Sequence, residues 1–324
     1  MEFPGECLDD VLMDLYKELL ASGSKNTSGK GDSLEHLGVI LRITKPRARL
    51  SRSWTRGRPL FSALGELVWY LAGSDDAAFI GRYIPDYVRP GMPAIVHGAY
   101  GPRIKSRYGL DQLATVTELL GERDGSRRVI IQLYEARDLE VPKEDVPCTT
   151  ALQFFRRQNV LHMSATMRSN DAYIGLPHDV FCFTMIQELV AAELGLELGE
   201  YIHMVGSMHL YTDKLELAER YISEGYHRTS EMPAMPLWNS FAMMDRLIEL
   251  ESRIRAGETV DPGAELDCPY WSDLVRLIQT HFASDDLGKI DEILDEMNHN
   301  FFHTFIVDRR GRRVPAGPDQ TASA

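Results

Sequence analysis

The stretch EDVPCTTALQFF, residues 144–155, places Cys148 between a proline and two threonines, directly before an apolar run. A cysteine thiolate is a strong nucleophile, although most cysteines in proteins are small, buried and unreactive. The sequence has 4 cysteines, which form no CxxC pair and no spacing typical of metal ligands. Cys182, within an apolar stretch, is expected to pack in the core. The segment alone leaves two interpretations of Cys148 open, a catalytic nucleophile or a buried apolar residue.

Two further segments combine arginine with hydroxyl or backbone donors in a way that suits an anion. RSNDAYIGLPHDV contains Arg168 and Ser169, followed by a Gly-Leu-Pro turn that is expected to open a helix. The first N–H groups of a helix and a nearby arginine can bind a phosphate. DGSRRVIIQLY contains the adjacent Arg127 and Arg128 at the entry to a predicted strand. An exposed, charged strand end is the alternative interpretation of this pair.

Two more segments carry polar side chains on otherwise apolar elements. GELVWYL places Glu66 on an apolar helix, where an unpaired carboxylate is costly. Glu66 is therefore either a functional acid or base, or one half of a salt bridge. SMHLY places His209 and Tyr211 on one face of a strand, because side chains two residues apart point the same way. Both could also be ordinary sheet residues.

Together, and in this order, the motifs resemble the thymidylate synthase family. The family pattern is an Arg-Arg pair, Pro-Cys, Arg-Ser-x-Asp-x-x-x-Gly-Leu-Pro and His-x-Tyr, with an upstream Glu-Leu-x-Trp helix that GELVWYL matches. The resemblance covers roughly residues 36–225. It implies an α/β (α+β) thymidylate synthase-like fold, in which a mixed β-sheet is packed by helices and forms a dimer interface. A helical C-terminal extension would follow.

The resemblance implies catalytic roles for Cys148, Glu66, Tyr100 and Asp179. The cysteine would add as a thiolate to C6 of a pyrimidine, which makes C5 a nucleophile, and a nearby cation such as Arg168 would favour the thiolate. The glutamate would act as general acid and base near the base ring, with the tyrosine in its hydrogen-bond network. The aspartate would contact the edge of the base.

The resemblance also implies residues that bind the phosphate, the sugar and the folate: Arg127, Arg128, Arg168, Ser169, His209, Tyr211, Asp171 and Gly175. The two adjacent arginines would reach across a homodimer interface to the partner's phosphate, because a guanidinium pairs well with phosphate oxygens. The histidine and the tyrosine would hydrogen-bond a sugar hydroxyl. Asp171 would face the folate or support the backbone there, and Gly175 begins the Gly-Leu-Pro turn. The family's early phosphate-binding arginine falls in a polar loop, where Lys25 or Lys30 would replace it.

Asp179 is the departure from the family pattern that decides the expected substrate. The family reads uracil with an asparagine two residues after Gly-Leu-Pro, whereas GLPHD has an aspartate there. An amide matches uracil, but cytosine presents an N4 amino donor and a bare N3 acceptor. An unmatched buried polar group costs on the order of 1–3 kcal/mol, so the aspartate indicates cytosine. The alternative is that Asp179 only caps the following helix.

Other departures point the same way. Thr149 replaces the histidine that usually follows the cysteine, and IPDYVRPGMPAIVHGAY (84–100) lacks the tryptophan that excludes water in the methylating enzymes. The terminal AGPDQTASA lacks the family's apolar closing peptide. The set resembles the cytidylate hydroxymethylase branch. That branch converts CMP or dCMP, 5,10-methylenetetrahydrofolate and water into the 5-hydroxymethyl nucleotide and tetrahydrofolate.

Two other functions stay open at this point. A divergent thymidylate synthase would methylate dUMP and form dihydrofolate. A non-catalytic nucleotide-binding protein would have no need of the cysteine nucleophile. The sugar is also open, although Ser126 and Ser169 match the pattern of the family's deoxynucleotide-using enzymes. No metal is expected.

The composition limits the expected partners and location. The 324 residues carry a formal net charge of −13, which argues against nucleic acid, because phosphate contacts need a basic face. No apolar run reaches the roughly 18 residues of a membrane span, and the acidic start MEFPGECLDD is not a secretory signal. Without a disulfide pattern, a reducing cytoplasm fits best.

Periodicity and turn residues predict the elements that position these side chains. Helices are expected at 8–20, 60–73, 111–120, 179–196, 212–224, 240–254, 271–282 and 290–305. Strands are expected at 36–43, 127–134, 150–157, 160–168 and 200–211, the third and fourth as a hairpin. A polar loop is expected at 22–33 and an irregular stretch at 79–107. The predicted organisation is a catalytic domain over 1–230, a helical extension of that domain over 231–310 and a disordered tail over 311–324.

Overall fold

A computed structural model describes residues 1–56, 59–140, 146–283 and 286–311 of the chain. The chain divides into two compact units, Met1–Ile248 and Glu249–Ala324. The division falls within one helix, Ser240–Arg255. The predicted boundary near residue 230 and the role of the extension stay predictions. Most of the predicted tail, residues 312–324, lies outside the described residues.

One mixed β-sheet organises the first unit. Its strands are β1 Glu2–Gly5, β2 Ser24–Ser28, β3 Gly31–Ile43, β4 Ile130–Gln132, β5 Thr149–Arg157, β6 Val160–Asp171 and β7 Glu197–Tyr211. The order is β1-β3-β7-β6-β5-β4, and β2 pairs with β3. The β1–β3 and β6–β7 pairs are parallel, and the other pairs are antiparallel. The predicted mixed sheet packed by helices is confirmed.

Helices of the first unit pack on this sheet or on one another. They are α1 Leu8–Ser22, α2 Leu60–Leu71, α3 Ala77–Gly81, α4 Tyr100–Lys105, α5 Gln112–Glu122, α6 Gly175–Glu193 and α7 Leu215–Ser223, followed by α8 Ser240–Arg255. Helix α6 is buried along almost its whole length, because it contacts β6 and β7 on one side and α2 on another. A helix in that position is expected to be apolar on most sides, and its sequence is, with Asp179 and Gln187 among the exceptions. Cys182 lies in α6 and is fully buried, as expected.

The second unit is helical over the residues that the structure describes. Its helices after α8 are α9 Pro262–Glu265, α10 Pro269–Phe282, α11 Leu287–Glu296 and α12 His303–Gly311. The predicted single helix at 290–305 is wrong, because the helix is interrupted between α11 and α12. The buried carboxylate of Asp273 accepts the backbone N–H groups of Asn298 and His299 there, each at 2.9 Å, and so diverts them from helical hydrogen bonds.

Two predicted irregular segments contain regular structure. Residues 22–33 are not a loop, since β2 and the start of β3 form an antiparallel hairpin. All five β2 side chains are exposed. The polar composition therefore reflects solvent on both faces of the strand and does not mean that strand pairing is absent. The stretch 79–107 includes the end of α3, a 3-10 turn at Pro85–Val88 and α4. The strand predicted at 127–134 is shorter, and pairs only over β4.

The other predicted elements are confirmed in type, including the helices at 8–20, 60–73 and 111–120 and the hairpin of β5 and β6. The predicted start of α6 is wrong, because this helix begins at Gly175 and not at Asp179. Across the described residues, no helix is both long enough and apolar enough to cross a membrane.

Candidate active site

Cys148 lies immediately before β5, next to Arg168 of β6. The backbone N–H of Arg168 donates to the carbonyl oxygen of Cys148 at 2.9 Å. Its side-chain Nε and Nη2 donate to the carbonyl oxygens of Pro147 and Val146 at 2.9 and 2.8 Å, and Nη2 lies 3.7 Å from Cys148 Sγ. The guanidinium is thus clamped around the segment that carries the thiol. A cation held at this distance favours the thiolate form.

Tyr100, at the start of α4, lies against the residue that follows the cysteine. Its hydroxyl oxygen accepts hydrogen bonds from the N–H and the Oγ1–H of Thr149, at 3.1 and 2.9 Å. Burial, with the negative charge of Asp179, raises the pKa of Tyr100 well above its usual range, so the hydroxyl stays protonated. With its oxygen already accepting twice, the Tyr100 proton is directed at a third group. Among the described residues none accepts it, which makes this O–H a donor available to a ligand.

Glu66 and Tyr70 lie one turn apart on α2, behind Tyr100. The Tyr70 hydroxyl donates to Glu66 Oε1 at 2.8 Å, and the ring centroids of Tyr70 and Tyr100 are 5.0 Å apart. Glu66 is buried and, within the described part of the chain, forms no salt bridge. Among the described residues, the alternative of a structural salt bridge is therefore not what holds Glu66. A carboxylate held by one tyrosine keeps acceptor capacity for a proton.

Asp179 lies in the second turn of α6, half-buried. Its Oδ2 accepts a hydrogen bond from Nδ2 of Asn170 at 2.7 Å. Burial, with the nearby negative charge of Glu66, raises the pKa of Asp179 well above its usual range, and the Asn170 bond opposes this only in part. These surroundings therefore favour the protonated form of the carboxyl. A Cβ at Gly175 would lie 3.1 Å from Asn170 Nδ2, so glycine leaves room for this pair.

The helix-cap interpretation of Asp179 is wrong, because α6 begins at Gly175 and Asp179 lies inside it. The carboxylate of Asp171 instead binds backbone N–H groups of the turn that leads into the helix. Its Oδ1 accepts the N–H of Tyr173 at 3.0 Å, and its Oδ2 accepts the N–H groups of Ile174 and Gly175 at 3.0 and 3.4 Å. Helix α6 therefore starts four residues before Asp179. Of the two roles expected for Asp171, facing a folate or supporting the backbone, the geometry contains the second. Ile174, whose N–H this carboxylate binds, is 53% exposed.

His209 and Tyr211 lie at the end of β7, next to the end of β6. Asp171 pairs with His209 in the strand register, and Ser169 with Ser207. The two rings meet edge to face with centroids 4.9 Å apart. Burial raises the pKa of Tyr211, with a further contribution from the Asp171 charge. Both side chains are half-buried beside the cap of α6, and their contact with a sugar stays a prediction.

The family model described as Thymidylate synthase matches residues 11–249. The chain belongs to the thymidylate synthase family. Thymidylate synthases of Listeria monocytogenes serotype 4b (strain CLIP80459) and serotype 4a (strain HCC23) are each 29% identical to it over 161 residues, which is 49% of this chain and 48% of each relative. The chain thus matches these curated relatives over about half their length.

Four residues expected from the family pattern lie apart from this cluster. Arg127 and Arg128 are exposed ahead of β4, and neither guanidinium has a hydrogen-bond or ion-pair partner among the described residues. Lys25 and Lys30 are exposed on the β2–β3 hairpin. No contact in the described part of the chain joins any of the four to Cys148. Their phosphate roles stay predictions, as does the alternative of a charged strand end for the arginines.

Sequence reasoning missed the residues behind Asp179. Asn170 is buried, His203 and Tyr201 of β7 are fully buried, and the three are hydrogen-bonded in series. A signal was present, since Asn170 stands inside the RSND motif and His203 alternates with apolar residues on the inner face of a strand. A buried histidine or asparagine must find partners, which is the physical reason to look for a network. The described residues contain no cluster of acidic, histidine or cysteine side chains suited to a metal ion.

Proposed function

We propose that the chain is a folate-dependent pyrimidine nucleotide C5-hydroxymethyltransferase. It converts CMP or dCMP, 5,10-methylenetetrahydrofolate and water into the 5-hydroxymethyl nucleotide and tetrahydrofolate. The observation that carries this proposal is Asp179. In a family whose usual base reader is asparagine, this position holds a half-buried carboxyl whose pKa is raised well above the usual aspartate range, which favours its protonated form.

A neutral carboxyl matches the edge of cytosine. It has one O–H donor and one C=O acceptor, and cytosine presents the N3 acceptor beside the N4 amino donor. An ionised aspartate would satisfy N4 but place a negative charge against the N3 lone pair. The buried setting beside Glu66 therefore suits a base reader that donates and accepts at once.

Cys148 is the nucleophile of the proposed reaction, and Arg168 holds it. The thiolate forms a bond to C6 of the pyrimidine, and the ring electron pair shifts to C5. Methylenetetrahydrofolate, when bound, supplies a one-carbon unit at the oxidation level of formaldehyde. After C5 has bonded to that carbon, Glu66 accepts the C5 proton and the bond between the carbon and the folate breaks. The oxygen of a water then bonds to the carbon, and the C5 proton and one water proton leave with tetrahydrofolate. The bond to sulfur then breaks and returns the thiolate.

The residues at the rim suit a flat co-substrate such as folate. Ile174 donates its backbone N–H to Asp171 directly before α6, and its apolar side chain is exposed there. Apolar walls with a few directed polar groups are typical of sites for such molecules. Ile174 and the adjoining backbone at the start of α6 would hold the folate face.

Two departures favour hydroxymethylation over methylation. Thr149 occupies the position next to Cys148. Its backbone N–H and its hydroxyl both donate hydrogen bonds to the Tyr100 hydroxyl oxygen. The segment 84–100 carries no tryptophan to exclude water from the reacting carbon. Access of water at that carbon gives a hydroxymethyl product.

A homodimer with shared sites is part of the proposal. Inner-face residues of β3 such as Val39 and Leu41 are fully buried, whereas Ile40 between them is only half-buried. Ile202 and Met204 of β7 have the same half-buried exposure. Helices contact the sheet, yet this apolar second face retains exposed surface, as expected if a second copy covers it. In such a dimer, the exposed Arg127 and Arg128 would supply the partner's phosphate site.

Turnover of CMP, dCMP, UMP and dUMP with methylenetetrahydrofolate, with products identified by mass, tests the proposal. A 5-hydroxymethylcytidine nucleotide is expected. The second candidate is methylation of dUMP, which the likeness to the Listeria thymidylate synthases favours, and formation of 5-methyl product with dihydrofolate would identify it. A non-catalytic binding protein would form no covalent adduct with a 5-fluoropyrimidine nucleotide. The same assay decides the sugar, for which Ser126 and Ser169 favour dCMP.

A further inference from the structure

Four side chains form a hydrogen-bonded series that ends at the proposed base reader. Asn170 Nδ2 donates to Asp179 Oδ2 at 2.7 Å. His203 Nε2 lies 3.0 Å from Asn170 Oδ1, and the Tyr201 hydroxyl lies 2.6 Å from His203 Nδ1. Asn170 is 4% exposed, and both residues behind it are fully buried. The proposed reaction uses neither His203 nor Tyr201.

The partners in this series allow one arrangement of protons. With its NH₂ turned to Asp179, Asn170 presents only an acceptor to His203, so Nε2 must carry the imidazole proton. His203 Nδ1 then has a lone pair, and the Tyr201 hydroxyl must donate to it. Burial lowers the pKa of His203 to about 3, which keeps the imidazole neutral and therefore confined to one tautomer.

The orientation of the Asn170 amide decides where Asp179 can hold a proton. A neutral carboxyl by itself does not distinguish cytosine from uracil, because its proton can reside on either oxygen and the donor and acceptor then exchange places. Asn170 donates to Oδ2 and so reserves that oxygen as an acceptor. The Asp179 proton therefore resides on Oδ1. The base then meets a donor at Oδ1 and an acceptor at Oδ2, and these two cannot exchange places.

We propose that His203 is a positioning residue that sets the base preference by holding the Asn170 amide in this orientation. Tyr201 supports it by excluding the other tautomer. This inference rests on the proposed function, because it assigns Asp179 to the base edge. It explains why a strand buried against α6 carries a histidine and a tyrosine two residues apart where apolar side chains would otherwise pack.

The test compares Tyr201→Phe, His203→Leu and His203→Gln with the wild type by calorimetric Kd for CMP and UMP. Tyr201→Phe removes one oxygen and keeps the ring packing. His203→Leu removes the donor, whereas glutamine can restore an N–H to Asn170. We expect the cytosine preference to fall about tenfold in the first two variants, as for one lost buried hydrogen bond, and to recover in His203→Gln. Tyr221→Phe is the matched control, because this fully buried hydroxyl donates to Asp9 instead.

A merely structural role would weaken both nucleotides equally and leave their Kd ratio unchanged in Tyr201→Phe and His203→Leu, which would overturn the inference. If His203→Leu does not fold, Tyr201→Phe decides alone. NMR of protein with isotopically labelled histidine gives a readout independent of nucleotide. We expect the Nε2–H tautomer for His203, and a tautomer mixture after Tyr201→Phe. An Nδ1–H tautomer in the wild type would overturn the inference, whereas a wild-type preference for uracil with the Nε2–H tautomer present would overturn the proposed function.

Discussion

The Nη2 nitrogen of Arg168 lies 3.7 Å from Sγ of Cys148, and the same guanidinium is tied to the two carbonyl groups that precede the cysteine. The cation therefore cannot swing away from the thiol without breaking backbone contacts. This relationship makes the arginine part of the structure of the nucleophile as well as a candidate phosphate ligand.

Cys148→Ala is expected to fold and to bind nucleotide but to lose turnover, because the substitution removes the sulfur that bonds to C6. Product formation and trapping by a 5-fluoropyrimidine nucleotide measure this. Cys268→Ala, a half-buried cysteine of the second unit, serves as the control and should retain activity. Appreciable turnover in Cys148→Ala would rule out the covalent mechanism.

Arg168→Lys should slow alkylation of Cys148 by iodoacetamide at neutral pH by about tenfold, because an ammonium cannot hold both carbonyls and still face the sulfur. The rate is followed by mass spectrometry of the labelled peptide as pH is raised. Arg253→Lys, an arginine paired with Glu258 and Glu265 in the second unit, is the matched control. An unchanged rate in Arg168→Lys would mean that the guanidinium does not activate the thiol.

Asp179→Asn should lower kcat/KM for the cytidine nucleotide and raise it relative to the uridine nucleotide. The new NH₂ meets the N4 amino group as a second donor but pairs with O4 of uracil. One lost and one gained buried pairing amount to on the order of 3 kcal/mol, or about a hundredfold in preference. An unchanged base preference in the variant would remove Asp179 from the role of base reader.

Asp179→Asn should also flatten the dependence of stability on pH. The folded protein holds the Asp179 proton more tightly than the unfolded chain, since burial raises this pKa. The stabilisation is fully present below the ordinary aspartate pKa of about 4 and is lost as pH rises through the raised value. Urea unfolding between pH 4 and pH 9 measures it against the exposed-site control Asp295→Asn. A wild type and Asp179→Asn with parallel pH profiles would contradict the raised pKa.

A mixed dimer tests the shared site. A subunit with Arg127→Ala and Arg128→Ala, combined with a Cys148→Ala subunit, should regain about one working site in two if arginines cross a two-fold interface. Differently tagged subunits are co-purified, and activity is compared with each parent homodimer. Heterodimers that form without rescue would place the phosphate ligands elsewhere in the chain.

The sequence was most informative where short motifs and periodicity agree. The β5–β6 hairpin and the apolar α6 follow from periodicity and turn residues, and the approach of Arg168 to Cys148 was expected from the resemblance to the family. The start of α6 was mislocated because both Asp171 and Asp179 suit a cap, and only the backbone geometry separates them. The network behind Asp179 could not be derived, since it joins β6, β7 and α6 through contacts between residues 33 and 9 positions apart.

Strand β6 carries three of the contacts described above within four consecutive residues. Arg168 holds the segment of the nucleophile, Asn170 holds the carboxyl on α6, and Asp171 holds the first turn of that helix. The strand therefore fixes the spacing between the attacking sulfur and the group that reads the base, because it contacts the elements that carry both. Substitution at residue 179 can change which pyrimidine is read without altering that spacing, whereas an insertion between 168 and 171 would change both at once. A point mutation at residue 179 can therefore give this fold a new base preference.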